Sequence, residues 1–510
     1  MKAGETWSKT LKDFLFKRKA WLWLVLGLVL LGLTRTINLA RFPIFCDEAI
    51  YIRWSQIAWK EAPLRFISLT DGKQPFQTWI TIPFLRSFND PLVAGRAQAA
   101  LAGLILPFVL SATTIAFFPK RKQLPIIVFF LAIFSPYLLF HNRMALAESF
   151  LTLFAAGSLF FSYLLAKTRR LDVALLAGAW LGFALLVKSQ ALFFLILFPL
   201  GIVFVPVNFI KKDFRQAFKF LGLFLISALI AYFIYNIQRL SGWMHLIDQK
   251  NQEFTAPILV ALREWPFFWR NLRSSFSWFW VYLTWPVFLF SLVGLVLWLK
   301  RDWRQGLFLA GWFFLPFGAI NLIARIYNSR YLAFLAFLPL LWAAFGLDQL
   351  RKKIGTRLFS LFMMLVLLLP LVRTYQLIFS PEQFPFTKTD RGYLEGWTAG
   401  YGIPEIVSIL NQASQTQQVV VGTEGNFGLL SQGLEIYFAF NPNVRVLGFH
   451  PLPVLPPEDF LGLVQEGKRA FFVVNNTPGD FSQENFSLVA EFFKVNNQGS
   501  LRLYEVLKKN

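Results

Sequence analysis

The stretch Arg41-Phe-Pro-Ile-Phe-Cys-Asp-Glu-Ala-Ile-Tyr-Ile-Arg53 follows directly on the first strongly apolar segment, 20–38, and sets two adjacent carboxylates, Asp47 and Glu48, at its edge. Carboxylates are costly near lipid, so a pair beside a membrane-length segment points to chemistry. Capping of a helix beginning at Ala49 is a second reading, compatible with the first. Outward from the pair lie Asp71-Gly-Lys-Gln-Pro75 and, past a further apolar span, His141-Asn-Arg-Met-Ala-Leu-Ala-Glu148. Arg143 and Glu148 are five residues apart and would not share one side of a helix.

The 510 residues are 56% hydrophobic, 18% aromatic and only 15% charged. Apolar stretches near 20–38, 93–118, 124–141, 148–166, 172–188, 190–207, 217–237, 277–299, 305–324, 331–348 and 358–379 approach the length needed to cross a bilayer. The expectation is an α-helical polytopic membrane protein of about eleven transmembrane helices embedded in a lipid bilayer. A net charge of +22 could suit nucleic acid, but the basic residues fall in short clusters between apolar spans, as in cytoplasmic loops, which argues against a nucleic-acid partner. Cys46, the one cysteine, excludes an internal disulfide framework.

Sidedness follows from the clusters. Lys12, Lys17, Arg18 and Lys19 precede the first span, which lacks a cleavage-like site and reads as a retained anchor with a cytoplasmic amino terminus. The basic connections 119–123, 167–170, 211–215, 300–304 and 351–357 fall on that same side. The opposite, outer face then holds Asp47, Glu48, Lys73, Arg143, Glu148, the 238–276 connection and everything after 380. Within the first outer loop, 39–92, the stretches 49–59 and 75–88 read as short interfacial helices.

Residues 380–510 differ in character, with 13 acids against 9 bases, and read as a separate extracytoplasmic α/β domain following a membrane domain over 1–379. Strands are expected over 418–423, 434–440, 444–448, 470–474 and 501–506, and helices over 404–413 and 456–466. Gly422-Thr-Glu-Gly425 lacks the lysine and spacing of a phosphate loop and reads as a turn. The glycine- and aromatic-rich run 392–402 reads as a linker, with sugar stacking as the other use of its aromatics.

Phe45-Cys-Asp-Glu-Ala-Ile-Tyr51, Gly72-Lys-Gln-Pro-Phe-Gln-Thr-Trp79, Gly95-Arg96, Asn142-Arg-Met-Ala-Leu-Ala-Glu148 and Leu186-Val-Lys-Ser189, in that order, resemble the GT-C glycosyltransferases. Within them the resemblance is to the branch of protein O-mannosyltransferases and lipid A aminoarabinose transferases. It implies a GT-C fold in the plasma membrane, a polyprenyl-phosphate-sugar donor, and inverting transfer to a lipid, glycan or protein acceptor at the outer face. It also implies Asp47 as catalytic base. Two departures stand out: the family's Lys-Pro-Pro is here Lys73-Gln-Pro75, and its second acid, often Asp, is here Glu148.

The chemistry asks for the same residue types. An acceptor oxygen attacking an anomeric carbon needs a base, and the departing phosphate needs cations. Asp47 is the candidate base, with Glu48 and Glu148 as further acids of the catalytic set; Glu48 could orient a hydroxyl. Lys73, Arg143, Lys188, Arg330 and Tyr331 are the candidate phosphate-binding residues. Snorkelling for Lys73 and a structural ion pair for Arg143 or Glu148 are the competing uses. His141 and His245 lack metal-site partners in the sequence, so no metal and no cofactor is expected. A transporter or lipid flippase would place ionisable groups at mid-bilayer in related halves, and no repeat is evident. An idle scaffold would leave the acidic pair, Lys73 and Glu148 without a use.

Overall fold

A computed structural model describes residues 18–206, 214–450, 460, 468–477 and 486–506. The basic residues Lys12 and Lys17, most of the expected connection 211–215, and the expected helix 456–466 apart from Phe460 lie outside them. The chain forms two compact units: one of residues up to Ile37, Ser68–Gln77 and Ala99–Ser380, the other of Asn38–Ile67, Thr78–Gln98 and the chain from Pro381 on. The region 38–98 therefore supplies two stretches to the second unit, beyond the division at 379/380 read from composition.

The first unit is helical throughout. Among the described residues five helices are long and apolar enough to cross a membrane: Pro91–Phe117, whose first turns belong to the second unit, Glu148–Thr168, Arg215–Leu240, Trp303–Ile323 and Thr356–Phe379. Two bent pairs and four shorter apolar helices account for the remaining apolar stretches. Glu148–Thr168 is the central helix, with 83% of its apolar window buried, whereas Arg215–Leu240 and Thr356–Phe379 are only 22% buried and turn apolar flanks outward.

Glycines set the closest crossings. A Cβ on Gly294 would lie 1.8 Å from the carbonyl oxygen of Trp342, so the helices Trp285–Arg301 and Phe337–Ile354 meet backbone to backbone there. Close approach of small residues is how membrane helices gain packing where lipid removes the hydrophobic drive.

Three expected spans are interrupted, each at a proline or an irregular turn. The span 277–299 is instead two helices, Trp265–Tyr282 and Trp285–Arg301, bent by 110°. Thr284 has φ 67° and Pro286 sits in the first turn of the second helix, so neither residue could continue the first. Pro136 likewise divides 124–141 into Leu124–Ile133 and Pro136–His141. The span 331–348 bends by 50° between Ser329–Leu335 and Phe337–Ile354.

In the second unit, β1 (Ile44–Phe45) pairs antiparallel with β2 (Ala399–Gly400). This pairing ties the entry to helix Cys46–Lys60 to the 392–402 run within the second unit. The main sheet contains β3 (Val419–Glu424), β4 (Val444–Phe449), β5 (Arg469–Asn475), β6 (Phe486–Phe493) and β7 (Ser500–Val506) in the spatial order β4-β3-β5-β7-β6. β3 runs parallel to β4 and β5, while β7 is antiparallel to both β5 and β6. Its core holds Val420, Phe460, Phe472, Val474, Phe486 and Tyr504.

One expected strand is a helix. Residues 434–440 fall largely in Gln432–Phe438, where Leu434, Ile436 and Phe438 are buried. Their alternation suggests a strand, but seven residues are too few to separate the two periods, and partners decide. Arg53 Nε bonds Glu435 Oε2 at 2.7 Å and Gln56 Nε2 bonds the Ile436 carbonyl at 2.7 Å. β6 has no counterpart among the expected strands; mostly exposed and broken by a register shift between Leu488 and Ala490, it has little apolar patterning to reveal it. Gly422-Thr-Glu-Gly425 is the end of β3 followed by a turn at Gly425, φ 94°.

Candidate active site

The acidic pair opens the helix Cys46–Lys60, which starts three residues before Ala49 and so puts Asp47 and Glu48 in its first turn. Negative charge is favourable there. Glu48 is fully buried: its Oε2 accepts the Phe45 backbone N–H at 3.0 Å, and its carboxylate takes a two-pronged contact from Arg96, Nε to Oε1 at 2.8 Å and Nη2 to Oε2 at 2.7 Å. Arg96 directs its remaining donors to the carbonyls of Leu39, Phe42 and Pro43. The pair thus fastens the loop ahead of the helix, and removing one partner of such a buried pair typically costs about 3–5 kcal/mol. Asp47 is half-buried beside this clamp. Burial lifts the pKa of Tyr437 in the same unit, with the Asp90 carboxylate adding to the rise and Arg96 opposing it.

In the first unit, four of the sequence-selected residues come together. Lys188, just past the helix Leu171–Val187, reaches Glu148 Oε1 at 2.7 Å, and its Nζ lies 5.0 Å from the centre of the Tyr331 ring. The Arg330 guanidinium lies 5.6 Å from the same ring. Glu148 also feels the charge of Arg330, and so does the His141 imidazole. Gln190 Nε2 donates to the Tyr331 carbonyl at 3.0 Å, and Tyr137 Oη to that of Ser329 at 2.6 Å, which fixes the 329–331 turn. Neither ring nitrogen of buried His141 has a hydrogen-bond partner among the described residues.

Lys73 belongs to the segment beside this cluster. Gln74 Nε2 donates to Ser189 Oγ at 2.7 Å, joining the Lys73-Gln74-Pro75 run to the Lys188 turn. Lys73 Nζ lies 3.3 Å from Asp71 Oδ2, and Lys250 Nζ lies 2.9 Å from Oδ1. Burial works against the charge on Lys250, but its hydrogen bonds to Asp71 and Glu253 prevail and raise its pKa. Gly72 permits this approach: its φ is 64° and a Cβ would lie 2.5 Å from the Leu246 carbonyl oxygen.

Arg143 holds the end of the first helix. Its guanidinium donates to the carbonyls of Thr34 at 2.9 Å and Ile37 at 2.6 Å, at the end of helix Arg18–Thr36. Those acceptors are backbone carbonyls rather than the carboxylate of an ion pair.

Arg96, Gln74 and Asp71 lie in stretches that the sequence singles out, but no role is assigned to them there. Arg96 had a signal: an arginine early in a 27-residue, otherwise uncharged helix demands a carboxylate partner. Among the described residues, no group of three or more His, Cys, Asp or Glu could hold a metal ion.

The family model for dolichyl-phosphate-mannose-protein mannosyltransferases matches residues 65–247. The crystal structure of ArnT from Cupriavidus metallidurans in the apo state is similar over 95% of this chain and 97% of that one, at 14% identity and TM-score 0.56. The same protein bound to undecaprenyl phosphate is similar over 96% and 98%, at 13% identity and TM-score 0.57. The arabinofuranosyltransferase AftD from Mycobacteria covers 96% of this chain with 40% of its own, at 13% identity and TM-score 0.46. Among curated protein sequences nothing matches. The family match over residues 65–247 and the motif order are those of GT-C glycosyltransferases, and the fold, that of a multi-pass membrane protein, is similar to ArnT over nearly the whole chain. Within that class the chain resembles the branch of protein mannosyltransferases and aminoarabinose transferases.

Proposed function

We propose that the protein transfers one sugar, with inversion, from a polyprenyl-phosphate-linked donor to an acceptor at the outer face of the plasma membrane. The acceptor oxygen attacks the anomeric carbon, its proton passes to the Asp47 carboxylate, and the bond from that carbon to the phosphate oxygen breaks with its electron pair leaving on phosphate. Lys188 and Arg330 hold that phosphate, with Lys73 as a further cation from the adjoining segment. Tyr331 keeps both of the first two cations beside its ring. Glu148 balances Lys188 when no donor is bound. The observation that carries the reading is the convergence of Lys188, Arg330 and Tyr331 around Glu148. A carboxylate and two cations gathered at a membrane segment offer charge-assisted bonds to a phosphate. The chain's likeness over nearly all its length to a protein crystallised with undecaprenyl phosphate supports the same donor class.

Arg330→Gln tests it with purified enzyme and a synthetic polyprenyl-phosphate sugar. Removing a charge-assisted hydrogen bond costs roughly 1.5–3 kcal/mol, so the donor KM should rise by about one to two powers of ten. A donor KM equal to that of the wild type would remove Arg330 from the phosphate site.

A further inference from the structure

A second group of cations belongs to the unit that contains the sheet. Arg65, Trp79, Ile82, Pro83 and Arg86 line a pocket of about 390 Å³. The indole of Trp79 is part of the lining, and its Nε1 donates to the Arg65 carbonyl at 2.7 Å. The Arg86 guanidinium also lies 5.3 Å from the centre of the Trp59 ring, and Lys60 Nζ lies 5.2 Å from that same ring and 4.7 Å from the ring of Phe440. Three cations thus gather around two tryptophans. None of the three has a carboxylate partner among the described residues. The neighbouring acid Asp90 accepts the backbone N–H groups of Leu92 and Val93 instead.

Like charges on one pocket repel, and an anion between them relieves the repulsion. Other cations of this unit are neutralised inside the protein: Arg53 by Glu435, Arg96 by Glu48 and Arg469 by Glu505. Arg65 and Arg86 are exposed on the pocket lining, with forked guanidinium groups suited to phosphate oxygens. The other lining residues are apolar or aromatic, and Trp79 belongs to a short apolar helix, Phe76–Ser87. An ion from water needs no such lining, but a phosphate carried on glycerol and acyl chains does. Tryptophan beside arginine is the pairing found where membrane proteins meet lipid headgroups.

We infer that this pocket binds the headgroup phosphate of an anionic bilayer phospholipid, docking the sheet-containing unit on the membrane surface independently of the sugar-transfer site. The test is native mass spectrometry of the full chain in detergent, titrated with phosphatidylglycerol, for wild type, Arg65→Gln/Arg86→Gln and Arg65→Lys/Arg86→Lys. Each charge-assisted hydrogen bond removed weakens binding about tenfold or more, so the glutamine variant should lose one high-affinity lipid while eluting as a monodisperse folded protein. The lysine variant keeps the charge without the fork, and should retain that lipid with intermediate affinity. Inorganic phosphate at millimolar concentration should leave the lipid in place. Equal lipid binding by wild type and the glutamine variant would overturn the site. Displacement by inorganic phosphate would also overturn it, by showing a free-anion site rather than a lipid one.

Discussion

Asp47 and Glu48 are neighbours in sequence and opposites in surroundings. Glu48 is buried and bonded by Arg96, whereas Asp47 is half-buried one position earlier in the same first turn. The types and positions of both could be read from the chain, but the partner that occupies Glu48 could not, because Arg96 lies 48 residues away. Asp47→Asn keeps the size of the side chain in the first turn of the helix and removes its ability to accept a proton. Turnover with a polyprenyl-phosphate sugar should fall by about 10² to 10⁴ while the variant inserts and folds normally. Wild-type turnover from equal amounts of purified variant would leave the base to another carboxylate. Lys494 offers a different single-residue test. Its side chain is buried and donates to the carbonyl of Gly396 at 2.6 Å and to Asn475 Oδ1. Burial pulls its pKa down to about 8, with Glu424 opposing. The unfolded chain keeps that proton to about pH 10.4, so between the two values the unfolded state binds more protons and stability rises with pH. The neutral amine still has two N–H groups for its two acceptors. The unfolding midpoint should therefore climb from about pH 7.5 to 9.5 more steeply in wild type than in Lys494→Met. Parallel profiles would mean that the group does not change protonation on folding.

At the scale of elements, apolar stretches were legible because a bilayer demands length and hydrophobicity from every span, and each expected stretch falls on a helix or helix pair. What was not legible is where they break. Thr284-Trp285-Pro286 sits inside an unbroken apolar run, and hydropathy does not register the turn it imposes. The short elements of the sheet-containing unit were harder still: Gln432–Phe438 depends on Arg53 and Gln56, contributed from about 380 residues away. Helix crossings depend on single atoms. Gly294 and Gly346 face each other, with the Gly346 Cβ position 3.2 Å from Gly294 Cα. Gly294→Val should force the helices apart and lower stability by about 1–3 kcal/mol, as overpacking does. Gly222→Ala is the control, since nothing lies within 4 Å of a Cβ there. Thermal unfolding in the same detergent reads both, and equal midpoints for the two variants would remove the crossing as a packing constraint.

For the whole molecule, orientation is the property on which the assignment of chemistry to the outer face rests. The basic connections at 119–123, 167–170, 300–304 and 351–357 each carry several lysines or arginines, and such loops stay on the cytoplasmic side. One of them also carries its own balance, for Arg121, Arg351 and Lys352 surround buried Asp348. Residues after 380 are net acidic and carry no such signal of their own. Their side follows from the count of crossings between, and every span miscounted would reverse it. Two positions decide the matter: Lys122, exposed in a basic connection, and Gln417, exposed just before β3. The native Cys46 is buried and gives little background. In intact cells an impermeant thiol reagent should label Gln417→Cys and leave Lys122→Cys unmodified until the membrane is permeabilised. The reverse pattern would turn Asp47 and the Glu148 cluster toward the cytoplasm and require a donor presented on that side. Labelling of both in intact cells would mean an odd number of crossings has been miscounted between the two positions.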